Sequence, residues 1–340
     1  GCTCLIIVKS NNYPDTLAHI SVRARNLGIF FVVCFNDTKS EQIMNFLEQN
    51  VEVKLVGQEI IILLGGGKTT KKNKGADGKK KKLKVVNPGN SYKKIYLELN
   101  EFDKKSFGAK SLNTKNVYGR ISSCNWLKYP ESFSIPFNVF EYFLTLPENQ
   151  EISQKIQKYI KKLNETDKQK QIIKYLERCK EETLKINFSE NKETLHLKSR
   201  LLQFGIKPNE IDEAFKAIKG VWASKFNERV YIASSKVGVS LNEIKMSVLC
   251  QKIIPSEYAY VIHTKNPTNN NQDEVYAEIV AGMGETLVGA FEGQSLSFAY
   301  NKRNGNYNIL SYPNKSISLR NSGFIFRSDS NFEDIEGFSG

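Results

Sequence analysis

The sequence predicts two domains, an α/β domain followed by a turn-rich α+β domain, and three observations support this. The chain has 340 residues, 40% of them hydrophobic, which is enough for two separate cores. Up to residue 64, short apolar strands alternate with amphipathic helices. From about residue 205, apolar strands are separated by turns rich in Asn and Gly.

The first domain is predicted from strands and helices in alternation. A turn leads into a helix over 15–28, ended by Gly28, and Ser40 is the expected N-cap of a second helix over 40–50. The predicted strands are 4–10, 29–35, 51–56 and 59–64.

The rest of the chain is predicted as a helical region followed by a sheet. Apolar residues at helical spacing predict a helical hairpin over 150–186, with Ile152, Ile156, Tyr159, Ile160 and Leu163 on its inner face. An amphipathic helix is expected to run into a strand over 208–224. Further strands are predicted at 93–102, 257–264, 274–282, 295–300 and 322–329.

The charge of the chain is concentrated in one tract. Residues 68–84 hold nine Lys and one Asp, so this tract carries +8 of the net +13. A low-complexity lysine tract is typical of a solvated loop, and the sequence therefore does not predict a specific nucleic-acid partner.

Cysteine usage and hydropathy indicate the redox compartment of the protein and whether it spans a membrane. The six Cys include no C-x-x-C pair, and a reducing compartment is expected. The Cys2–Cys4 pair has no second pair of ligands to complete a metal site. No run of 18 apolar residues predicts a membrane span. The first residues resemble a strand and not a signal peptide, and both chain ends read as cuts within a longer protein.

His19 stands at the start of the predicted helix 15–28 in the run Leu-Ala-His-Ile-Ser-Val-Arg-Ala-Arg. A phosphoryl group on its ring would meet the positive end of the helix. Arg23, four residues on, shares the helical face of His19, and Arg25 adds charge nearby. His19 is therefore a candidate nucleophile toward phosphorus.

A Gly-Ala-Lys turn at 108–110 is a candidate phosphate cradle, because backbone N–H groups and the Lys110 amine can face an anion. The run 65–70, Gly-Gly-Gly-Lys-Thr-Thr, is not a P-loop, since Ile62 occupies the position of the first glycine. Later cations that suit a polyphosphate are Lys225, Arg229 and Arg327, and carboxylates that suit hydrated Mg²⁺ are Glu278, Glu285, Asp329, Glu333 and Asp334.

The run 17–35 resembles the phosphohistidine motif of alpha-glucan, water dikinases, and the ordered segments 106–120 and 210–340 resemble their nucleotide-binding domain. The resemblance implies that His19 carries the phosphate and that ATP and Mg²⁺ are used. It implies ATP contacts for Lys110 and for either Arg229 or Arg327, with Glu285 a further candidate, and Glu333 and Asp334 as metal or phosphate neighbours.

By this resemblance residues 1–64 are a swivelling phosphohistidine domain, 65–90 a lysine-rich insert and 91–105 a linker strand. Residues 106–340 are an ATP-grasp-like nucleotide-binding domain with a helical insert over 148–205. The first domain is expected to be truncated at its N-terminus. The second is expected to be truncated at its C-terminus, where a Gln-Thr-Arg-Pro strand typical of the family is missing.

The resemblance implies an enzyme that transfers the β-phosphate of ATP to an alpha-glucan and the γ-phosphate to water, in a cytoplasmic or plastid-like compartment. Plant members pair a cysteine with the one matching Cys34, but that partner position here is Phe30, so this thiol control is not expected. Two alternatives stay open: another dikinase of the class, acting on phosphoglucan or pyruvate, and a non-catalytic ATP-binding scaffold. The oligomeric state is not predicted.

Overall fold

The computed structural model describes residues 4–8, 21, 24, 28–34, 36–56, 59–65, 94–289, 291, 293–320 and 323–326. The chain divides into two compact units, the first formed by residues 1–71 with 254–340 and the second by residues 72–253. Within the described residues, no helix has both the length and the apolar character needed to cross a bilayer.

The N-terminal part of the first unit has four strands and one described helix. They are β1 (Cys4–Ile7), β2 (Phe30–Val33), α1 (Asp37–Met44), β3 (Val51–Val56) and β4 (Glu59–Leu64). Strands β1 and β2 pair in parallel, and β3 and β4 form an antiparallel hairpin. These strands confirm the predicted ones, whereas most of the predicted helix 15–28 lies outside the described residues.

The start of α1 corrects one prediction. Asn36, not Ser40, is the N-cap, because the Asn36 side chain accepts a hydrogen bond from the Lys39 N–H at 2.9 Å. Ser40 lies buried inside the helix, and its N–H donates to the Asn36 carbonyl at 2.8 Å.

The C-terminal part of the first unit is an antiparallel sheet with one short helix. Its elements are β8 (Tyr258–His263), β9 (Glu274–Ala281), α9 (Glu285–Val288), β10 (Leu296–Asn301), β11 (Tyr307–Ser311), β12 (Ile317–Arg320) and β13 (Gly323–Phe326). The strand order is β11-β10-β9-β8, and β12 pairs with β13. Four predicted strands in this region are therefore confirmed, and β11 and β12 were not predicted.

The second unit is mainly helical. Its helices are α2 (Ala109–Ile121), α3 (Val139–Thr145), α4 (Gln150–Asn164), α5 (Gln169–Leu184), α6 (Lys192–Phe204), α7 (Ile211–Ala223) and α8 (Glu228–Lys236). Its strands are β5 (Leu97–Glu98), β6 (Ser132–Ile135) and β7 (Val248–Gln251), which form one sheet in the order β5-β6-β7.

The core of this unit joins the helices to the sheet. Phe133, Phe140, Phe143 and Trp222 are almost fully buried, and the ring of Phe188 stacks on Phe215 with centroids 4.3 Å apart. Helices α4 and α5 form the predicted hairpin, and Ile156, Ile160 and Leu163 are buried as expected.

One prediction in this unit is confirmed only in part, and another is wrong. The predicted strand 93–102 is a strand only over β5 and then turns into a 3₁₀ helix at Leu99–Glu101. After α7 the chain does not enter a strand but continues as a 3₁₀ turn, Ser224–Phe226, and then α8. The buried positions Phe215, Ile218, Trp222 and Phe226 keep a helical spacing through this turn, so the core face continues.

Candidate nucleotide site

The Gly-Ala-Lys turn forms the start of α2, and its backbone is fixed by neighbouring segments. The N–H of Gly108 donates to Ser247 Oγ at 3.1 Å, and Ser111 Oγ lies 3.0 Å from Ser134 Oγ in a buried position. Gly108 is the N-cap and offers no side-chain cap, so the first N–H groups of α2 have no partner within the helix. This end of α2 therefore presents backbone donors beside Lys110, as an anion site requires.

Lys110 and Arg229 both lie exposed in the second unit, each in the first turn of a helix. Neither forms an ion pair with a described residue. A cation without a carboxylate partner is available to an anionic ligand, so both positions suit the predicted phosphate contacts.

Glu285 lies in the first unit, exposed at the start of α9, and the glycines around it have structural roles. Gly282 has φ +89°, and a Cβ there would overlap Ser318 Oγ and the Leu319 carbonyl oxygen. The Met283 N–H donates to that same carbonyl at 2.8 Å. The Gly-Met-Gly-Glu segment is thus held tightly against β12, with Glu285 directed away from the core.

The carboxylates differ in their surroundings. Glu278 is buried in β9 and accepts a hydrogen bond from the Tyr276 hydroxyl at 2.8 Å. Its carboxylate is therefore shielded from solvent, whereas Glu285 is exposed. The described residues contain no group of three or more His, Cys, Asp or Glu side chains placed to hold a metal ion. Mg²⁺ is commonly bound through only one or two carboxylates and the substrate's phosphates, so a magnesium site does not require such a group.

Several predicted site residues lie outside the described residues. These are His19, Arg23, Arg25, Arg327, Asp329, Glu333 and Asp334. Phe30 and Cys34 are described: Phe30 pairs with Cys4 across β1 and β2, and the buried Cys34 thiol donates to the Asn36 carbonyl at 3.6 Å.

The second unit also contains a charged cluster that the sequence did not reveal. Lys225, which the sequence offered as a phosphate contact, is buried with its Nζ 3.8 Å from Glu141 Oε1. Lys245 Nζ approaches the same oxygen at 3.2 Å. Neither Glu141 nor Lys245 was predicted, because the three residues are far apart in the sequence and no local motif joins them.

The other two histidines take part in strand pairing and in ring packing. His263 is half-buried in β8 opposite Tyr276, as expected for a strand histidine. The His196 ring packs against Tyr96 with centroids 6.1 Å apart.

Two family models match the chain. Residues 3–69 match the alpha-glucan water dikinase phosphohistidine-like domain, and residues 186–319 match the AMP/ATP-binding domain of pyruvate phosphate dikinase. The first match covers His19 and its two arginines, and the second covers Arg229 and Glu285.

Two plant proteins align over nearly the whole chain, and a third protein aligns over a shorter part. The chloroplastic alpha-glucan water dikinase of Citrus reticulata is 34% identical over 98% of this chain and 23% of its own length. That of Solanum tuberosum is 35% identical over 96% of this chain and 22% of its own length. The phosphoenolpyruvate synthase of Pyrococcus furiosus is 31% identical over only 23% of this chain and 9% of its own length.

The chain thus spans less than a quarter of the length of these two plant relatives. The phosphohistidine-like domain model and the near-complete alignments with the two plant proteins name the same family. The chain therefore belongs to the alpha-glucan water dikinase family, with a phosphohistidine-like domain and an AMP/ATP-binding domain.

Proposed function

We propose that the full protein containing this segment phosphorylates an alpha-glucan with ATP through a phosphohistidine. The observation that carries the proposal is the alignment of 96–98% of the chain with proteins named alpha-glucan water dikinase. The matched phosphohistidine-like and AMP/ATP-binding domains support a phosphate carrier and a nucleotide donor in one chain. The much shorter alignment with phosphoenolpyruvate synthase favours glucan over pyruvate as the acceptor.

In the proposed reaction, a ring nitrogen of His19 attacks the β-phosphorus of ATP. The bond from that phosphorus to the α-phosphate oxygen breaks and AMP leaves, while the γ-phosphoryl group passes to water as inorganic phosphate. A glucosyl hydroxyl then attacks the phosphohistidine, loses its proton and receives the phosphoryl group, which restores the free imidazole. Arg23 and Arg25 are proposed to stabilise the phosphoryl group on His19.

We place the polyphosphate of ATP at the start of α2, where Lys110 and the free N–H groups of the first turn face the same solvent. Arg229 or Arg327 supplies a further cation, and Glu285 is a candidate contact. Mg²⁺ would be held by Glu333 and Asp334 with the phosphates, and would neutralise part of their charge.

We also propose a domain motion and a cellular compartment. Residues 1–64 would swivel between the nucleotide and the glucan, with the lysine-rich tract and the segment 91–105 as the connection to the ATP-grasp-like domain 106–340. The chloroplastic names of the two plant relatives favour a plastid-like compartment over the cytoplasm.

Acceptor assays with the full-length protein test the function. ATP labelled at the β-phosphate should label insoluble alpha-glucan, whereas ATP labelled at the γ-phosphate should yield labelled inorganic phosphate only. Pyruvate should accept no label. Label on the glucan from the γ-phosphate would indicate an ordinary kinase, and transfer to pyruvate would place the protein in another branch of the class. ATP binding without any transfer would leave a nucleotide-binding scaffold.

A further inference from the structure

Two lysines in the second unit share one carboxylate. Lys245 Nζ and Lys225 Nζ lie 3.2 Å and 3.8 Å from Glu141 Oε1. Both Glu141 oxygens are shielded from solvent, and neither makes a hydrogen bond with a described residue. With both lysines protonated, the three side chains carry a net charge of +1. The cluster therefore has one positive charge more than its own carboxylate neutralises.

The surroundings of Lys225 make this excess charge costly. Its side chain is only 4% exposed, and its Nζ lies 5.4 Å and 5.8 Å from the ring centroids of Phe140 and Phe226. Burial lowers the pKa of Lys225 to about 8, although Glu141 favours the charged form. A buried ammonium group needs compensating negative charge, which a bound anion would supply.

The position of Lys245 connects this cluster to the start of α2. Lys245 precedes Ser247 by two residues, and Ser247 Oγ accepts the hydrogen bond of the Gly108 N–H at 3.1 Å. The segment that carries Lys245 therefore adjoins the Gly-Ala-Lys turn directly. The Lys245 side chain is 18% exposed, so its amine has access to solvent that Lys225 lacks.

We propose that Lys245 binds the terminal phosphates of a nucleoside triphosphate, with Glu141 as its positioning residue and Lys225 as a second cation behind it. Without nucleotide, the Lys245 ammonium group pairs with Glu141 at 3.2 Å. With nucleotide, that group contacts a phosphate oxygen, and the polyphosphate compensates the excess charge. The inference rests on the proposed function, because the ligand is the polyphosphate at the start of α2.

Calorimetric titration of the full-length protein with ATP and with AMP tests this role. Lys245→Met should weaken ATP binding about 10- to 100-fold, as expected for one lost hydrogen bond to a charged group. AMP binding should change less than about threefold, since AMP lacks the terminal phosphates. Lys245→Arg should restore most of the ATP affinity. Lys236→Met, which removes an exposed lysine in the last turn of α8, is the matched control and should bind ATP like wild type.

The pH dependence of ATP binding tests the second cation. The groups that face Lys225 are Glu141 on α3, Lys245 before β7 and Cys179 on α5. Burial raises the pKa of Cys179 to about 12, so this thiol keeps its proton up to pH 9.5. Wild-type affinity for ATP should fall between pH 7 and 9.5 as Lys225 loses its proton, and Lys225→Met should flatten this fall.

The outcomes separate the inference from the function on which it rests. Equal ATP affinity of Lys245→Met and Lys236→Met would overturn the role of Lys245 and leave the proposed function intact. Equal losses of ATP and AMP affinity in Lys245→Met, with a lower melting temperature, would show a folding residue and also overturn it. Failure of the wild-type protein to bind either nucleotide would overturn both.

Discussion

Arg200 forms two parallel hydrogen bonds with the carboxylate of Glu98, from Nε to Oε1 at 2.6 Å and from Nη2 to Oε2 at 3.0 Å. Its guanidinium group also lies 4.7 Å from the ring centroid of Phe133. Glu98 is in the edge strand β5 and Arg200 is in α6, so this pair ties the helical layer to the sheet that ends in β7. The sheet and α2 together hold the candidate phosphate turn, since Ser111 contacts Ser134 of β6.

Arg200→Met should lower the free energy of unfolding by about 2 kcal/mol. This value lies between those for exposed and buried ion pairs, because Arg200 is buried while Glu98 is half exposed. Arg178→Met is the control, since Arg178 and Glu181 form an exposed pair on α5, and it should cost less than about 0.5 kcal/mol. Urea unfolding of both variants measures the difference. Equal stability of the two variants would contradict the bracing role of Arg200.

The glycines of the Gly-Met-Gly-Glu segment should differ sharply in their tolerance of a side chain. Gly282→Ala introduces a left-handed alanine whose Cβ overlaps β12, and it should destabilise by roughly 3 kcal/mol. Gly284→Ala meets only the Ala259 Cβ at 3.9 Å and should change stability by less than about 0.5 kcal/mol. Thermal unfolding compares the two. A Gly282→Ala protein as stable as Gly284→Ala would contradict the close packing of this segment on β12.

Lys225 should make stability rise with pH in the alkaline range. Its pKa is about 8 in the folded protein and lies near its ordinary value of 10.5 in the unfolded chain. Between these values the unfolded chain binds more protons, so the contribution of Lys225 to stability increases from about pH 8 to about pH 10.5.

The measurement is the difference in unfolding free energy between wild type and Lys225→Met at pH 7.5 and pH 10. Lys225→Met should be at least as stable as wild type at pH 7.5, because it removes a costly buried charge while Glu141 keeps Lys245. The advantage of the variant should shrink at pH 10. A difference that does not vary with pH would contradict the buried position of the ammonium group.

Buried cysteine thiols should be alkylated more slowly than exposed ones. Burial raises the pKa of both Cys179 and Cys250 to about 12, so at pH 8 only about one thiol in ten thousand is ionised at each position. Cys124, which is partly exposed, should react with iodoacetamide well before either of them in the native protein. Peptide mass spectrometry after short labelling reads the order, and early modification of Cys179 would contradict the packing of α5.

The sequence was most informative where one periodicity extended over a whole element. The hairpin α4–α5 and the strands β8, β9 and β10 were predicted because apolar spacing and Asn/Gly turns marked both their faces and their ends. The strand expected after α7 failed because Lys225 and Phe226 enter the core through a 3₁₀ turn, a tertiary effect that local propensity does not encode.

The candidate site was only partly predictable for a similar reason. The Gly-Ala-Lys turn was found from its own residues, since its chemistry is local. The ion pairs of Glu141 with Lys225 and Lys245 required α3, the turn after α7 and the segment before β7 to meet, and no local pattern specifies that meeting.

Trapping the labelled protein tests whether His19 carries phosphate from ATP. The full-length wild type and His19→Ala are incubated with Mg²⁺ and ATP labelled at either the β- or the γ-phosphate, without glucan, and the protein is isolated under alkaline conditions. Wild type should carry acid-labile label from the β-phosphate, and His19→Ala should carry none. Acid-labile label that persists in His19→Ala, or no label in a wild-type protein that binds ATP, would contradict this role of His19.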